Sequence, residues 1–209
     1  MIRVALPKGR NLAATLAAFR VAGFSMAELE GERNRRLHVK YRQEGLEVLL
    51  LKDWDLPLYV EHGIADCGVV GSDVLEEVGG DLLVPARLRQ GRCRLSFIGR
   101  RRELPQPGEQ VRLASKYPNT ARRVLETQSW GAEVFKLSGS VELAPLLDLA
   151  ELALDIVQTG RTLRENGLTE IDVVREVAPC LVVNRSAYQQ HRDELNRWLD
   201  RFEEAEVME

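Results

Sequence analysis

Short apolar runs alternate with stretches of helical period from the first residue onward, which is the order of an α/β protein. Residues 2–6 read as a buried strand that enters a Pro-Lys-Gly-Arg loop, and a helix follows from about Asn11 to Gly23. Residues 37–42 and 46–51 flank Glu44-Gly45 and predict a hairpin. A short helix through Tyr59 ends at Gly63 and a buried strand spans 65–70. The next helix is capped by Ser72 or Asp73 and closed by Gly79-Gly80.

Near residue 90 the pattern changes. Residues 94–99 predict a strand and Pro105-Gln-Pro-Gly108 a turn, and then three βα units follow closely. Residues 111–115 lead into a helix at Pro118-Asn119, residues 133–137 into one after Ser138-Gly139-Ser140, and residues 152–157 into one that stops at Gly167. Residues 173–183 are again strand-like, interrupted by Pro179. From Ser186 to Glu206 a helical period puts Tyr188, Leu195, Trp198, Leu199 and Phe202 on one face, suited to a core or a subunit contact. This order predicts two α/β lobes, residues 1–88 with 180–209 and residues 89–179, joined by crossing strands near 88–98 and 174–183. Two crossings leave a cleft between lobes, where ligands commonly bind.

Composition narrows the function classes. A chain of 209 residues with net charge -3 builds a substantial core but lacks the basic excess of a nucleic-acid binder. Arginines cluster at Arg33, Arg35 and Arg36 and again from Arg87 to Arg102; most are expected to be solvated or ion-paired. No apolar run reaches the roughly 18 residues of a membrane span, and the N-terminus reads as a strand and not a signal peptide. The cysteines Cys67, Cys93 and Cys180 are odd in number, far apart and set in apolar runs, which predicts buried thiols in a cytosolic protein. His38, His62 and His191 form no zinc-like spacing with them.

Ligands of parallel α/β sheets gather at the carboxyl ends of strands, so the βα loops are the places to look. In the stretch Asp155-Ile-Val-Gln-Thr-Gly-Arg-Thr-Leu163 a strand breaks at a hydroxyl- and glycine-bearing turn before a helix. Backbone N–H groups, two hydroxyls and the helix dipole suit a phosphate there, and Asp155 beside it suits sugar hydroxyls. An ordinary helix cap explains the same residues equally well. The first loop offers Lys8 and Arg10 around Gly9; the loop after Leu51 offers Lys52, Asp53 and Asp55; the loop after Val70 offers Ser72 and Asp73. Ser115-Lys-Tyr-Pro-Asn119 adds a cation and an aromatic face, and Ser138-Gly-Ser140 with Glu142 adds an anion-friendly turn and one carboxylate. Together they suit two phosphorylated substrates. No Gly-x-x-x-x-Gly-Lys-Ser/Thr loop, Gly-x-Ser-x-Gly elbow or Gly-x-Gly-x-x-Gly turn is present, so chemistry would rest on positioning and charge stabilisation.

Taken in order, Ala5-Leu-Pro-Lys-Gly-Arg10, Asp66-Cys-Gly-Val-Val-Gly-Ser-Asp73, Gly91-Arg-Cys-Arg-Leu95, Ser115-Lys-Tyr-Pro-Asn119, Gly139-Ser-Val-Glu-Leu-Ala-Pro145 and Asp155 to Leu163 resemble the ATP phosphoribosyltransferase family across essentially the whole chain. The resemblance implies a two-lobed, type II periplasmic-binding-protein-like α/β fold. It implies transfer of the 5-phosphoribosyl group of phosphoribosyl pyrophosphate to N1 of ATP, with release of pyrophosphate, as the first step of histidine biosynthesis in the cytoplasm. Magnesium is expected to arrive on the substrate phosphates. By the same carry-over Asp155 meets the ribose hydroxyls, and Thr159, Gly160, Arg161 and Thr162 cradle the 5-phosphate in the second lobe. Lys8, Arg10 and Lys52 are the catalytic cations expected at the pyrophosphate and ATP phosphates, with Asp73 and Glu142 as further substrate-binding residues.

Two departures stand out. The family more often has Arg at the position of Lys52, and Gly-Leu-Ala-Asp where this chain has Asp148-Leu-Ala-Glu151. The length resembles the short form of the family, which lacks a feedback domain. That form is expected to work with a regulatory subunit similar to histidyl-tRNA synthetase in a hetero-octamer, and as a homodimer alone. The competing readings are another phosphoribosyltransferase fold, which carries two adjacent acids before the phosphate turn, a non-catalytic two-lobed phosphometabolite-binding subunit, and a silent interaction subunit.

Overall fold

The computed structural model describes residues 1–29, 36–42 and 45–208, with only the backbone of Arg10 and Ala27. Arg33 and Arg35, and Glu44 of the expected hairpin turn, lie outside the described residues. Two units are distinct: Met1–Arg92 with Ala178–Glu209, and Cys93–Val177.

In the first unit the chain runs β1 (Ile2–Pro7), α1 (Arg10–Val21), β2 (His38–Tyr41), β3 (Leu46–Leu51), α2 (Leu56–Glu61), β4 (Cys67–Gly71), α3 (Ser72–Val78) and β5 (Leu83–Arg87). The second unit contains β6 (Cys93–Gly99), β7 (Gln110–Ser115), α4 (Pro118–Leu125), β8 (Gly131–Lys136), α5 (Leu143–Leu146), β9 (Leu152–Val157), α6 (Arg161–Glu165) and β10 (Thr169–Val177). The chain then returns to the first unit as β11 (Pro179–Val183), α7 (Arg185–Gln190) and α8 (Arg192–Glu204).

The first sheet has the order β2-β3-β1-β4-β11-β5, and the second β10-β6-β9-β7-β8. β1 lies parallel to both β3 and β4, and β9 parallel to β7, which is parallel to β8. β4 and β11 are buried along their whole length, as their unbroken apolar runs require of strands covered on both faces. One face of the first sheet packs on α1 and α8. There Phe19, Phe24, Trp198 and Phe202 form a cluster with centroid separations of 4.9–6.3 Å. Burying each such ring contributes about 2–3 kcal/mol. Leu195, Trp198 and Phe202 of the C-terminal stripe are thus core residues. The opposite face holds Ala5, Leu56, Val70, Val74 and Val182. In the second unit Ile98, Ala114, Ala153, Val157, Leu163 and Leu168 close one face of the sheet.

Several sequence expectations are corrected, and one strand appears that the pattern did not predict. Residues 173–183 are not one interrupted strand: the break falls at Ala178, and β10 and β11 belong to different sheets. Pro179 has no N–H and so begins β11 opposite Gly71. β5 escaped the pattern because it is short and contains Pro85, which an edge strand tolerates; only Ala86 in it is buried. The expected single C-terminal helix is broken at His191 (φ -120°, ψ 25°). The hydrogen bonds His191 N–H to Ala187 and Leu195 N–H to His191 carry the period across the break, so the apolar stripe does not reveal it. Finally, Gly71 and not Ser72 or Asp73 occupies the cap position of α3. The Ser72 hydroxyl instead accepts the Ala178 N–H at 3.2 Å. Of the three thiols, Cys67 and Cys180 are buried and Cys93 only partly so. Burial pushes the Cys67 thiol pKa up, so this group stays protonated and inert.

The divergent stretch at 148–151 has a local explanation. Asp148 sits in the left-handed region at φ 58°, where glycine costs least, and its carboxylate pairs with Arg100 on the surface. Glu151 accepts the Arg112 backbone N–H at 2.6 Å and the Arg112 guanidinium Nε at 3.1 Å, locking the start of β9 to β7. Asp148→Gly is expected to raise stability by roughly 0.5 kcal/mol in urea denaturation, because relief of the backbone outweighs an exposed ion pair. The Arg112 guanidinium holds the Glu151 carboxyl at about 2. Its folded pKa is depressed, so its stabilisation is complete above the ordinary carboxylate range and is lost as pH falls toward that value. With 40% of the Glu151 side chain exposed, Glu151→Gln is expected to cost about 1 kcal/mol at neutral pH. Denaturation curves taken between neutral pH and about pH 2 should show the two proteins converging.

Candidate active site

In the first unit, parallel pairing puts three strand ends on one sheet edge. Pro7 is in register with Leu51, so Lys8 and Lys52 occupy equivalent positions just beyond adjacent strands, and the Lys8 N–H donates to the Leu51 carbonyl at 2.7 Å. Neighbouring parallel strands lie about 4.8 Å apart. Both lysine side chains are exposed. Gly9 adopts φ 78° between Lys8 and the start of α1, with open space around it, and Arg10 opens the helix. The Lys52 carbonyl accepts from Asp55 N–H at 3.0 Å and Leu56 N–H at 3.2 Å, a tight turn that starts α2. Asp73, half-buried in the first turn of α3 after β4, folds its carboxylate back over Gly71. Asp66, at the opposite end of β4, accepts the Arg3 N–H at 2.7 Å and is a structural carboxylate.

The second unit gathers its loops the same way. Ser115 is in register with Leu154 on one side and Lys136 on the other, so the loops after β7, β8 and β9 leave one edge together. Asp155 is half-buried on β9 and accepts the Ile156 N–H at 2.8 Å. It stands opposite Ser96, which is fully buried and donates to Glu170 at 2.7 Å. Ser115 is likewise fully buried: its hydroxyl donates to the Leu154 carbonyl at 2.8 Å and accepts the Tyr117 N–H at 2.9 Å, pinning the Lys116–Tyr117 loop to β9.

At the turn after β9, Gly160 takes φ 67° and ψ 10°, the left-handed geometry that swings the chain into α6. Thr159 and Thr162 are exposed, and the Thr159 hydroxyl accepts the Arg161 N–H at 3.4 Å. The Arg161 guanidinium turns away to Glu165 at 2.7 Å with its side chain 78% exposed, so this residue offers the turn its backbone amide. Arg164, which motif reading passed over, donates to the Thr159 carbonyl at 3.0 Å. Its only sequence signal is the helical spacing of four from Gly160. Glu142 is half-buried at the cap position of α5, after Ser140 at φ 47°.

A second group missed from sequence is Arg94, which makes a two-pronged contact to Glu170 at 2.9 and 2.8 Å. Those bonds hold the Glu170 carboxyl below its usual pKa. Its signal, the Gly91-Arg-Cys-Arg-Leu95 motif, does not name the partner, which lies 76 residues away.

The profile of the ATP phosphoribosyltransferase family matches residues 52–204. The chain belongs to the ATP phosphoribosyltransferase family. An ATP phosphoribosyltransferase of Thermococcus gammatolerans is 44% identical over 197 residues, covering 93% of each chain. One of Thermus thermophilus is 43% identical over 203 residues, covering 97% of this chain and 96% of that one. Among solved structures, a chain of the ATP phosphoribosyl transferase (HisG:HisZ) complex from Thermotoga maritima superposes with a TM-score of 0.79 at 31% identity, covering 98% and 97%. This ATP phosphoribosyltransferase fold is of the type II periplasmic-binding-protein-like class.

Gly160→Ala tests the turn of this phosphoribosyltransferase directly. A Cβ there meets the Arg164 guanidinium at 3.2 Å and sits on a left-handed backbone, so a loss of about 1 kcal/mol is expected in thermal or chemical unfolding.

Proposed function

We propose that this chain transfers the 5-phosphoribosyl group of phosphoribosyl pyrophosphate to N1 of ATP, forming phosphoribosyl-ATP and pyrophosphate, as the first step of histidine biosynthesis. Family membership over almost the whole chain carries the reading, and the loops that would serve it are intact at the carboxyl ends of parallel strands.

The adenine N1 lone pair forms the new bond to the anomeric carbon while the bond to the pyrophosphate oxygen breaks. The ribosyl carbon gains positive character and the leaving oxygen negative charge. Lys8, Arg10 and Lys52 are assigned to the pyrophosphate and to the ATP phosphates, where cations offset the repulsion between two polyanions. Asp155 is assigned to the ribose hydroxyls, and Thr159, Gly160, Thr162 and the Arg161 amide to the 5-phosphate. Asp73 and Glu142 are further substrate-binding assignments. Magnesium is assigned to the substrate phosphates, where it would neutralise the charge of the leaving pyrophosphate.

The HisG:HisZ complex of Thermotoga maritima supports a regulatory partner, and we assign this chain to the same kind of hetero-oligomer, with a homodimer in its absence. Among the described residues no helix is long and apolar enough to cross a membrane. Cytoplasmic residence is part of the proposal.

The test is ATP, phosphoribosyl pyrophosphate and magnesium with the purified chain, with and without the regulatory subunit, read by mass spectrometry for the adduct. A folded protein that makes none under either condition overturns the enzyme reading in favour of a binding subunit. Lys52→Ala is expected to lower kcat at least about tenfold while KM for ATP changes less than about threefold. Unchanged turnover removes Lys52 from the mechanism.

A further inference from the structure

Two of the proposed catalytic cations sit on separate loops, and a side-chain hydrogen bond between described residues ties those loops together. Asn11, in the first turn of α1, donates from Nδ2 to the Asp53 carboxylate at 2.9 Å. Asn11 lies directly after Arg10 and Asp53 directly after Lys52, and both are half-buried. Asp53 is the second residue of the tight turn closed by the Asp55 N–H on the Lys52 carbonyl at 3.0 Å. The Lys8 N–H bond to the Leu51 carbonyl at 2.7 Å holds the loops together on the strand side. The Asn11–Asp53 bond holds them on the helix side. Between these two ties the backbone passes Gly9, where an added Cβ would meet nothing within 4 Å among the described residues.

We infer that Asn11 and Asp53 are a positioning pair for the phosphate cations, with the Asp53 side chain setting the orientation of the Lys52 turn relative to the α1 start. The inference rests on the phosphoribosyl transfer proposed above and deepens it. Lysine delivers one charge on a flexible stem, without the planar two-pronged grip of arginine, so the direction in which it leaves the backbone matters more. Catalysis by charge stabilisation is sensitive to displacements on the order of 1 Å. Neither residue needs to touch a substrate for this role.

The test uses the whole chain with its regulatory subunit and measures kcat, KM for both substrates, and the melting temperature. Asn11→Ala and Asp53→Ala are each expected to lower kcat about fivefold to twentyfold, with both KM values within about threefold and the melting temperature little changed. The double variant should be no slower than the worse single one, because both remove the same bond. Asp53→Asn keeps an acceptor for Asn11 while removing the charge, and should stay within about threefold of the unsubstituted protein. Unchanged kcat in the single variants overturns the inference, as does a double variant slowed by the product of the single effects. A rise in KM with kcat intact also overturns it, since that makes the pair a binding contact. Loss of activity in Asp53→Asn equal to that in Asp53→Ala overturns it as well, by showing that the charge and not the bond matters. Failure of the parent reading looks different: the unsubstituted chain then makes no adduct at all.

Discussion

Parallel register between neighbouring strands is the constraint on which the candidate loops of each unit depend. Where Pro7 pairs with Leu51, two chain segments that are remote in sequence must leave the sheet side by side. The same holds where Ser115 pairs with Leu154 and Lys136. A slip of one residue would turn every side chain to the other face and bury the wrong set. The apolar faces therefore enforce the register, and the register in turn delivers the loops. In the first unit the enforcing core is the ring cluster of Phe19, Phe24, Trp198 and Phe202, which joins the first helix to the last. The C-terminal helix thus supports the sheet edge that carries Lys8 and Lys52, though it contributes no residue to that edge.

The distribution of charge follows a consistent division. Several arginines are committed to carboxylates: Arg94 to Glu170, Arg101 to Glu109, Arg112 to Glu151, Arg161 to Glu165 and Arg185 to Asp81. Lys8 and Lys52 instead extend into solvent at the edge where phosphates are proposed to bind. Exposed ion pairs stabilise little, so the pairs made by strand arginines serve more to place those strands than to hold the fold. Arg112–Glu151 ties β7 to β9, and Arg94–Glu170 ties β6 to β10. Fully buried Ser96 and Ser115 make further polar ties, both beside β9 and its Asp155.

Much of this was legible from residue order. The alternation of apolar runs and helical periods located most strands and helices, because period and glycine punctuation are local properties of the chain. The turn at Thr159-Gly160 was legible for the same reason: a left-handed residue before a helix calls for glycine, and glycine stands there. β5 and the break at His191 were not legible. The first is an edge strand defined by its partner and the second a kink that preserves the period.

By itself the sequence determined the α/β class, the phosphate-suited turn, the two cationic loops and, through six ordered motifs, the family. Only the tertiary structure decided which residues act together. It separated β10 from β11 across Ala178, turned the Arg161 guanidinium to Glu165, and put Arg164 on the Thr159 carbonyl. It also joined Asn11 to Asp53. The reason is physical: periodicity and turn chemistry act over a few residues, whereas a hydrogen bond between residues 42 positions apart exists only once packing has fixed the strands between them.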